Sequence, residues 1–189
     1  MRWIVALLAA AVVAVGLGWL APAPAVADQS DTRLDALFDR LHQDIAQDEA
    51  AALEREIWTI WYHYDSPPIA LLMIQGSQAM STGDFDDALR AFTRVIELAP
   101  DFAEGWNRRA TLYYLMGRYD DSIADVHATL KLEPRHFGAL SGMGLIYAEL
   151  EDEETAVVWF EKALAVNPHM AGVRYRVELI KRRLAGEPT

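Results

Sequence analysis

The chain has 189 residues, room for one ordinary domain, and carries 28 Asp and Glu against 17 Lys and Arg, a formal charge of −11. That balance argues against nucleic acid as a partner, because phosphates attract basic surfaces. The absence of cysteine excludes disulfides and thiolate metal sites.

At the start, Arg2 is the only charge before an apolar run from Trp3 to Ala21, which is followed by Ala25-Val26-Ala27 and Asp28. This is the pattern of a secretory signal, expected to be cut after Ala27, with the helix breakers Pro22 and Pro24 ahead of the cut. The competing reading is an uncleaved inner-membrane anchor, since the run approaches the roughly 20 residues that span a bilayer. With no cysteine after it, the segment offers no site for lipid attachment. Cleavage would leave 16 basic and 28 acidic residues.

Residues 28–66 carry two helical stripes, Leu34, Leu37, Phe38 and Leu41, then Leu53, Ile57, Ile60, Trp61 and Tyr64. They predict a degenerate helix pair that caps the first of the units described next, with the aromatic run Trp58 to Tyr64 as its buried surface and an exposed binding patch as the alternative. Ser66-Pro67-Pro68 ends the pair. This segment holds ten acids and three bases, whereas residues 171–189 hold two acids and five bases. Solvated helix faces account for that asymmetry, and head-to-tail association is the sharper alternative.

Prolines then announce a period. Pro100, Pro134 and Pro168 stand 34 residues apart. Small residues share the spacing at Gly76, Ala110 and Gly144 and at Ala88, Ser122 and Ala156. Larger ones share it at Phe92, Val126 and Phe160. Each period reads as two amphipathic helices around a tight turn, with Gly83 and Gly117 ending the first helix in a left-handed conformation. Asp84 is expected to cap the second helix, and Asp101 with Glu104 to form a capping pair that opens the next unit. Small residues at Gly76 let the helices of a unit approach, and Phe92 and Phe160 are expected to fill the grooves between units. In the third copy Glu151 stands where the turn glycine is expected, which implies a strained or reshaped turn. After the last period, Val173, Val177, Ile180 and Leu184 form a stripe among Arg174, Arg176, Lys181, Arg182 and Arg183, a C-terminal capping helix over 171–185.

The columns Trp106, Ala110, Tyr113, Gly117, Tyr119 and Pro134 resemble the tetratricopeptide repeat. Copies are expected at 69–102, 103–136 and 137–170. The resemblance implies an all-α fold, an α-solenoid of antiparallel helix pairs with a helical cap at each end. It further implies a concave groove that holds a protein or peptide, lined by Met73, Ser77 and Met80, by Glu104, Asn107, Arg108, Thr111 and Tyr114, and by Ser141, Leu145 and Ala148, with Arg174 and Tyr175 closing it. Some members grip a C-terminal carboxylate with Lys and Asn where this chain has Met73 and Ser77, so that activity is not implied here.

Catalysis finds no support in the pattern. His42, His63, His127, His136 and His169 are scattered and none has a second ligand at zinc spacing. Ser141-Gly142-Met143-Gly144 lies within a helix rather than after a strand, and the acids from Glu149 to Glu154 lack the alternation and central glycine of a calcium loop. No catalytic residue, metal or cofactor is expected. The sequence therefore reads as a periplasmic adaptor for a protein or peptide, serving envelope assembly or the control of a partner enzyme. The periplasmic setting rests on the signal and on a likeness to short bacterial repeat proteins. Two other readings stay open: a self-assembling structural protein that uses its oppositely charged ends as a weak homo-oligomer, and a noncatalytic cell-wall binder or activator. Contact with a membrane is expected only if the signal is retained.

Overall fold

The computed structural model describes residues 28–186; the expected signal segment lies outside the described residues. After a short 3-10 turn at Asp28–Ser30 come the helices α1 (Arg33–Leu41), α2 (Gln47–Tyr62), α3 (Pro67–Thr82), α4 (Phe85–Leu98), α5 (Ala103–Leu115), α6 (Tyr119–Leu132), α7 (Phe137–Glu149), α8 (Glu153–Val166) and α9 (Ala171–Leu184). The pairs α3/α4, α5/α6 and α7/α8 stack in order, and α9 closes the far end on α8. There Val177 and Ile180 pack with Ala156, Val157 and Phe160. Among the described residues no helix is long and apolar enough to cross a membrane.

The three intra-pair turns repeat bond for bond. The N–H groups of Asp84, Arg118 and Asp152 donate to the carbonyls of Ala79, Tyr113 and Tyr147 at 2.9, 2.8 and 2.9 Å, the closure of a helix that ends in a left-handed residue. Gly83 (φ 81°) and Gly117 (φ 70°) supply that residue in the first two turns. Glu151 adopts the same conformation at φ 59° despite its side chain, so the third turn is strained by about 1 kcal/mol rather than reshaped. Asp84 and Asp152 cap the second helices of their pairs, accepting from the N–H groups of Asp87 and Thr155. Asp101 and Glu104 form no capping pair: Phe102 occupies the cap position of α5, Asp101 accepts from the Tyr64 hydroxyl, and Glu104 turns inward.

The small-residue column works inside each pair. A Cβ at Gly76 would lie 2.6 Å from the Phe92 ring, and one at Gly144 would lie 2.4 Å from Phe160. These phenylalanines therefore fill the space within pairs, and they also pack toward the next unit, Phe92 in one core with Phe102 and Leu112 and Phe160 in one with Val177 and Ile180. In the middle pair the same positions hold Ala110 and Val126, so glycine faces phenylalanine and alanine faces valine at nearly conserved combined volume.

The N-terminal helix pair departs from expectation. It does not cap the first repeat; it lies lengthwise along the edge where successive pairs join and touches all three junctions. The side chain of Gln29 donates to the Asp101 carbonyl, and Tyr64 packs on Phe102. At the second junction Arg135 donates to Asp35 at 2.6 Å, and Trp61, 2% exposed, stacks on His136 at 4.3 Å. At the third, His169 meets the Leu41 carbonyl at 3.0 Å, His42 meets the Ala165 carbonyl at 2.9 Å, and Asn167 donates to Glu54 at 2.8 Å. The aromatic run is thus buried against the middle of the stack through Trp61, while Tyr62 stays exposed. The open end of the first repeat is covered by its own polar residues: at the stacking positions where the third repeat buries Met143 and Ile146, the first presents exposed Gln75 and Gln78.

Candidate partner-binding groove

Steps of 34 residues place Met73, Asn107, Ser141 and Tyr175 in one column of the stack. Ile74, Arg108, Gly142 and Arg176 form a second, and Ser77, Thr111 and Leu145 a third. Between the second and third pairs these columns enclose a pocket of about 140 Å³ lined by Asn107, Thr111 and Tyr114 from α5 and by Gly138, Ser141, Gly142 and Leu145 from α7. Its floor reaches Ala110, Ser122 and Val126. The small Val126 leaves this depth, where a phenylalanine stands in the neighbouring pairs. A second, more open recess of about 360 Å³ shares Ser141 and Leu145 and extends to Glu54, Val173 and Arg176. Together they form one groove that runs from α5 to α9 and has α2 on one side.

Five of the expected lining residues, Asn107, Thr111, Tyr114, Ser141 and Leu145, come together in the pocket. The others are placed elsewhere. Met73, 6% exposed, belongs to the core of the first pair, and Met80 packs beside that core. Ser77 is half-buried outside the pocket, and Ala148 packs into the cluster between α8 and α9. Arg174 turns away to donate to the Pro168 carbonyl, and Tyr175 is 66% exposed and lines neither recess. Arg176 takes the place expected of Arg174. Its position was readable two columns over, by the same step that leads from Arg108 to Gly142. Glu54 could not be found from the period, because α2 reaches the groove from outside the repeats.

Glu104 and Arg108 are engaged within the chain. The Glu104 carboxylate is buried; its Oε2 accepts from Asn107 Nδ2 at 2.8 Å and from His136 Nε2 at 3.1 Å. His136 Nδ1 accepts the Ala139 N–H at 3.0 Å, so the ring proton sits on Nε2 and the imidazole is the neutral donor. Arg108 Nε lies 3.0 Å from Glu104 Oε1, off the hydrogen-bond direction, and the contact is ionic. The Arg108 guanidinium is 4.7 Å from the centre of the Tyr62 ring, and burial pushes its pKa below the ordinary arginine value. Removing any one member would strand a buried polar group, so this network registers α2 on the repeats rather than offering contacts to a guest. Arg109 likewise pairs with Asp125 through two bonds of 2.7 and 2.9 Å. At the groove mouth Tyr114 donates weakly to Glu149 at 3.4 Å; burial first, then the Glu149 charge, raises the phenol pKa.

The model of the tetratricopeptide repeat matches residues 75–124 and 109–171. The chain belongs to the tetratricopeptide repeat family. A tetratricopeptide repeat-containing protein of Rhizobium etli is 37% identical over 157 residues, which cover 83% of this chain and 77% of that relative. The Hsp70-Hsp90 organizing protein of Triticum aestivum is 30% identical over 114 residues, 60% of this chain but only 20% of that protein. In fold, the first tetratricopeptide domain of Spaghetti (RPAP3), solved bound to the HSP90 peptide SRMEEVD, superposes with a TM-score of 0.60 at 21% identity, covering 64% of this chain and 96% of that one. Tetratricopeptide proteins are in general noncatalytic adaptors that bind proteins, and no catalytic family is indicated for this chain.

Proposed function

We propose that this chain is an exported tetratricopeptide adaptor, released into the periplasm by cleavage after Ala27, that holds a partner protein by a peptide segment laid in the groove between α5, α7 and α9. One observation carries the reading: five residues chosen for their inward repeat positions converge on a single recess lined by uncharged groups. Envelope assembly or control of a partner enzyme is the process in which such an adaptor would serve. Support for the compartment comes from the signal-like sequence of residues 1–27.

Two measurements test the proposal. N-terminal sequencing of the protein from a periplasmic fraction is expected to begin at Asp28; a chain that begins at Met1 in the membrane fraction contradicts the export reading. For the groove, Leu145→Asp places a carboxylate in the lining, whereas Val158→Asp alters an exposed position on α8. Capture of the partner from periplasmic extract is expected to fail for the first variant and persist for the second, with both chains folded by circular dichroism. Equal capture by both would refute the groove as the binding site.

A further inference from the structure

Most of the pocket's polar hydrogens are already engaged. Ser141 Oγ donates to the Gly138 carbonyl at 3.0 Å, Thr111 Oγ1 to the Asn107 carbonyl at 2.9 Å, and Tyr114 Oη to Glu149 at 3.4 Å. Asn107, 8% exposed, turns its NH2 edge to the Glu104 carboxylate, which can only accept; its Oδ1 receives no donor from the described residues. The lining is therefore left mainly with acceptor lone pairs around an apolar floor.

Gly142 adds a second, independent observation. It lies inside α7, where glycine is a poor helix former, yet a Cβ built there meets nothing within 4 Å. No neighbour among the described residues requires it. One turn earlier, Gly138 has a clear reason, because a Cβ there would lie 2.7 Å from the Trp58 ring of α2. The α2–α7 interface thus continues along α7 as an open strip, with Gly142 bare where a further chain could approach as closely as Trp58 approaches Gly138.

We propose that the groove selects hydrogen-bond donors: an extended, uncharged polypeptide stretch turns backbone N–H groups toward Asn107 and Ser141 and sets one apolar side chain in the pocket beside Gly142. The proposal rests on the peptide-holding reading above. A helix would bring N–H groups already satisfied by its own backbone, whereas an extended strand brings free ones. A carboxylate brings only acceptors to an acceptor lining. Arg176 lies in the adjoining recess, outside the pocket that Asn107 and Ser141 line.

The test uses fluorescence anisotropy with N-acetylated, C-amidated nonapeptides that carry a central leucine between randomised uncharged residues. The best binder is then N-methylated one position at a time, and the free acid SRMEEVD serves as the acidic comparison. Methylation at one or two central positions is expected to weaken binding about tenfold, the effect of losing one buried hydrogen bond. SRMEEVD is expected to bind no better than its scrambled sequence. Gly142→Ala should melt higher, because alanine favours the helix, and yet bind the selected peptide less tightly. Indifference to N-methylation at every position, tighter binding of SRMEEVD, or undiminished binding by Gly142→Ala would each overturn the donor-selection proposal while leaving peptide holding in place. If no library member binds, peptide holding itself fails.

Discussion

Glu151 shows how much a single backbone position contributes. It takes the left-handed conformation that glycine supplies in the two preceding turns, and its neighbours make the same bonds. Glu151→Gly is therefore expected to raise stability by about 0.5–1 kcal/mol, less than the strain itself because glycine also frees the unfolded chain; urea unfolding measures it, and a destabilised variant would contradict the assignment of strain. Asn107 is a different case. Its repeat position identifies it as groove-lining, and it lines the pocket, but no periodicity reveals that the same side chain also satisfies Glu104. Asn107→Ala is thus not neutral for folding: a loss of about 1–2 kcal/mol is expected from a buried carboxylate deprived of a donor, along with weaker guest binding. A melt equal to wild type would show that water replaces the amide. Glu104, Arg108 and Met73 were misassigned to the open surface for the same reason, because spacing gives a direction along a helix but not what covers it from another element.

Among elements, the helix pairs were the most legible part. Their boundaries follow from glycine turns, prolines and apolar spacing, all local in sequence. The partners of Phe92 were less so, since packing within a pair and packing between pairs share one periodicity; the 2.6 Å approach of a Gly76 Cβ to the ring shows the contact within the pair, beside that with Phe102 and Leu112 of the next. That geometry couples the middle pair as well. Val126→Phe opposite Ala110 is expected to cost about 1–3 kcal/mol by overpacking. Adding Ala110→Gly reproduces the combination of the flanking pairs and should recover most of the loss, less about 1 kcal/mol for glycine in a helix. A double-mutant cycle with no coupling would show that the volumes are not matched across this column. The same change deepens the test of the groove, since the phenylalanine would take space from the pocket floor.

At the scale of the molecule, the destination of the N-terminal helix pair was the main feature the sequence did not disclose. Its two stripes and aromatic run identify an amphipathic hairpin, but a buried face does not name its partner. The traces it leaves in the repeats are His136 and Gly138, ordinary residues until Trp61 and Trp58 are placed on them. Laid across three junctions, the hairpin couples units that in a simple solenoid feel only their neighbours. It also places the acidic segment along the side of the stack, with its α1–α2 turn near the third junction. Gly138→Val should collide with Trp58 and lift α2, giving faster hydrogen exchange in α1 and α2 while α3–α8 stay protected. Unchanged exchange in the hairpin would mean that Trp58 does not hold it.

The groove itself is tested most directly by photocrosslinking in the native compartment, with benzoylphenylalanine placed at exposed Thr111 on the pocket wall or at exposed Val158 on α8. A partner band that forms from Thr111 and not from Val158 is the expected result. The same partner captured from Val158 alone would place binding outside the groove and contradict the account.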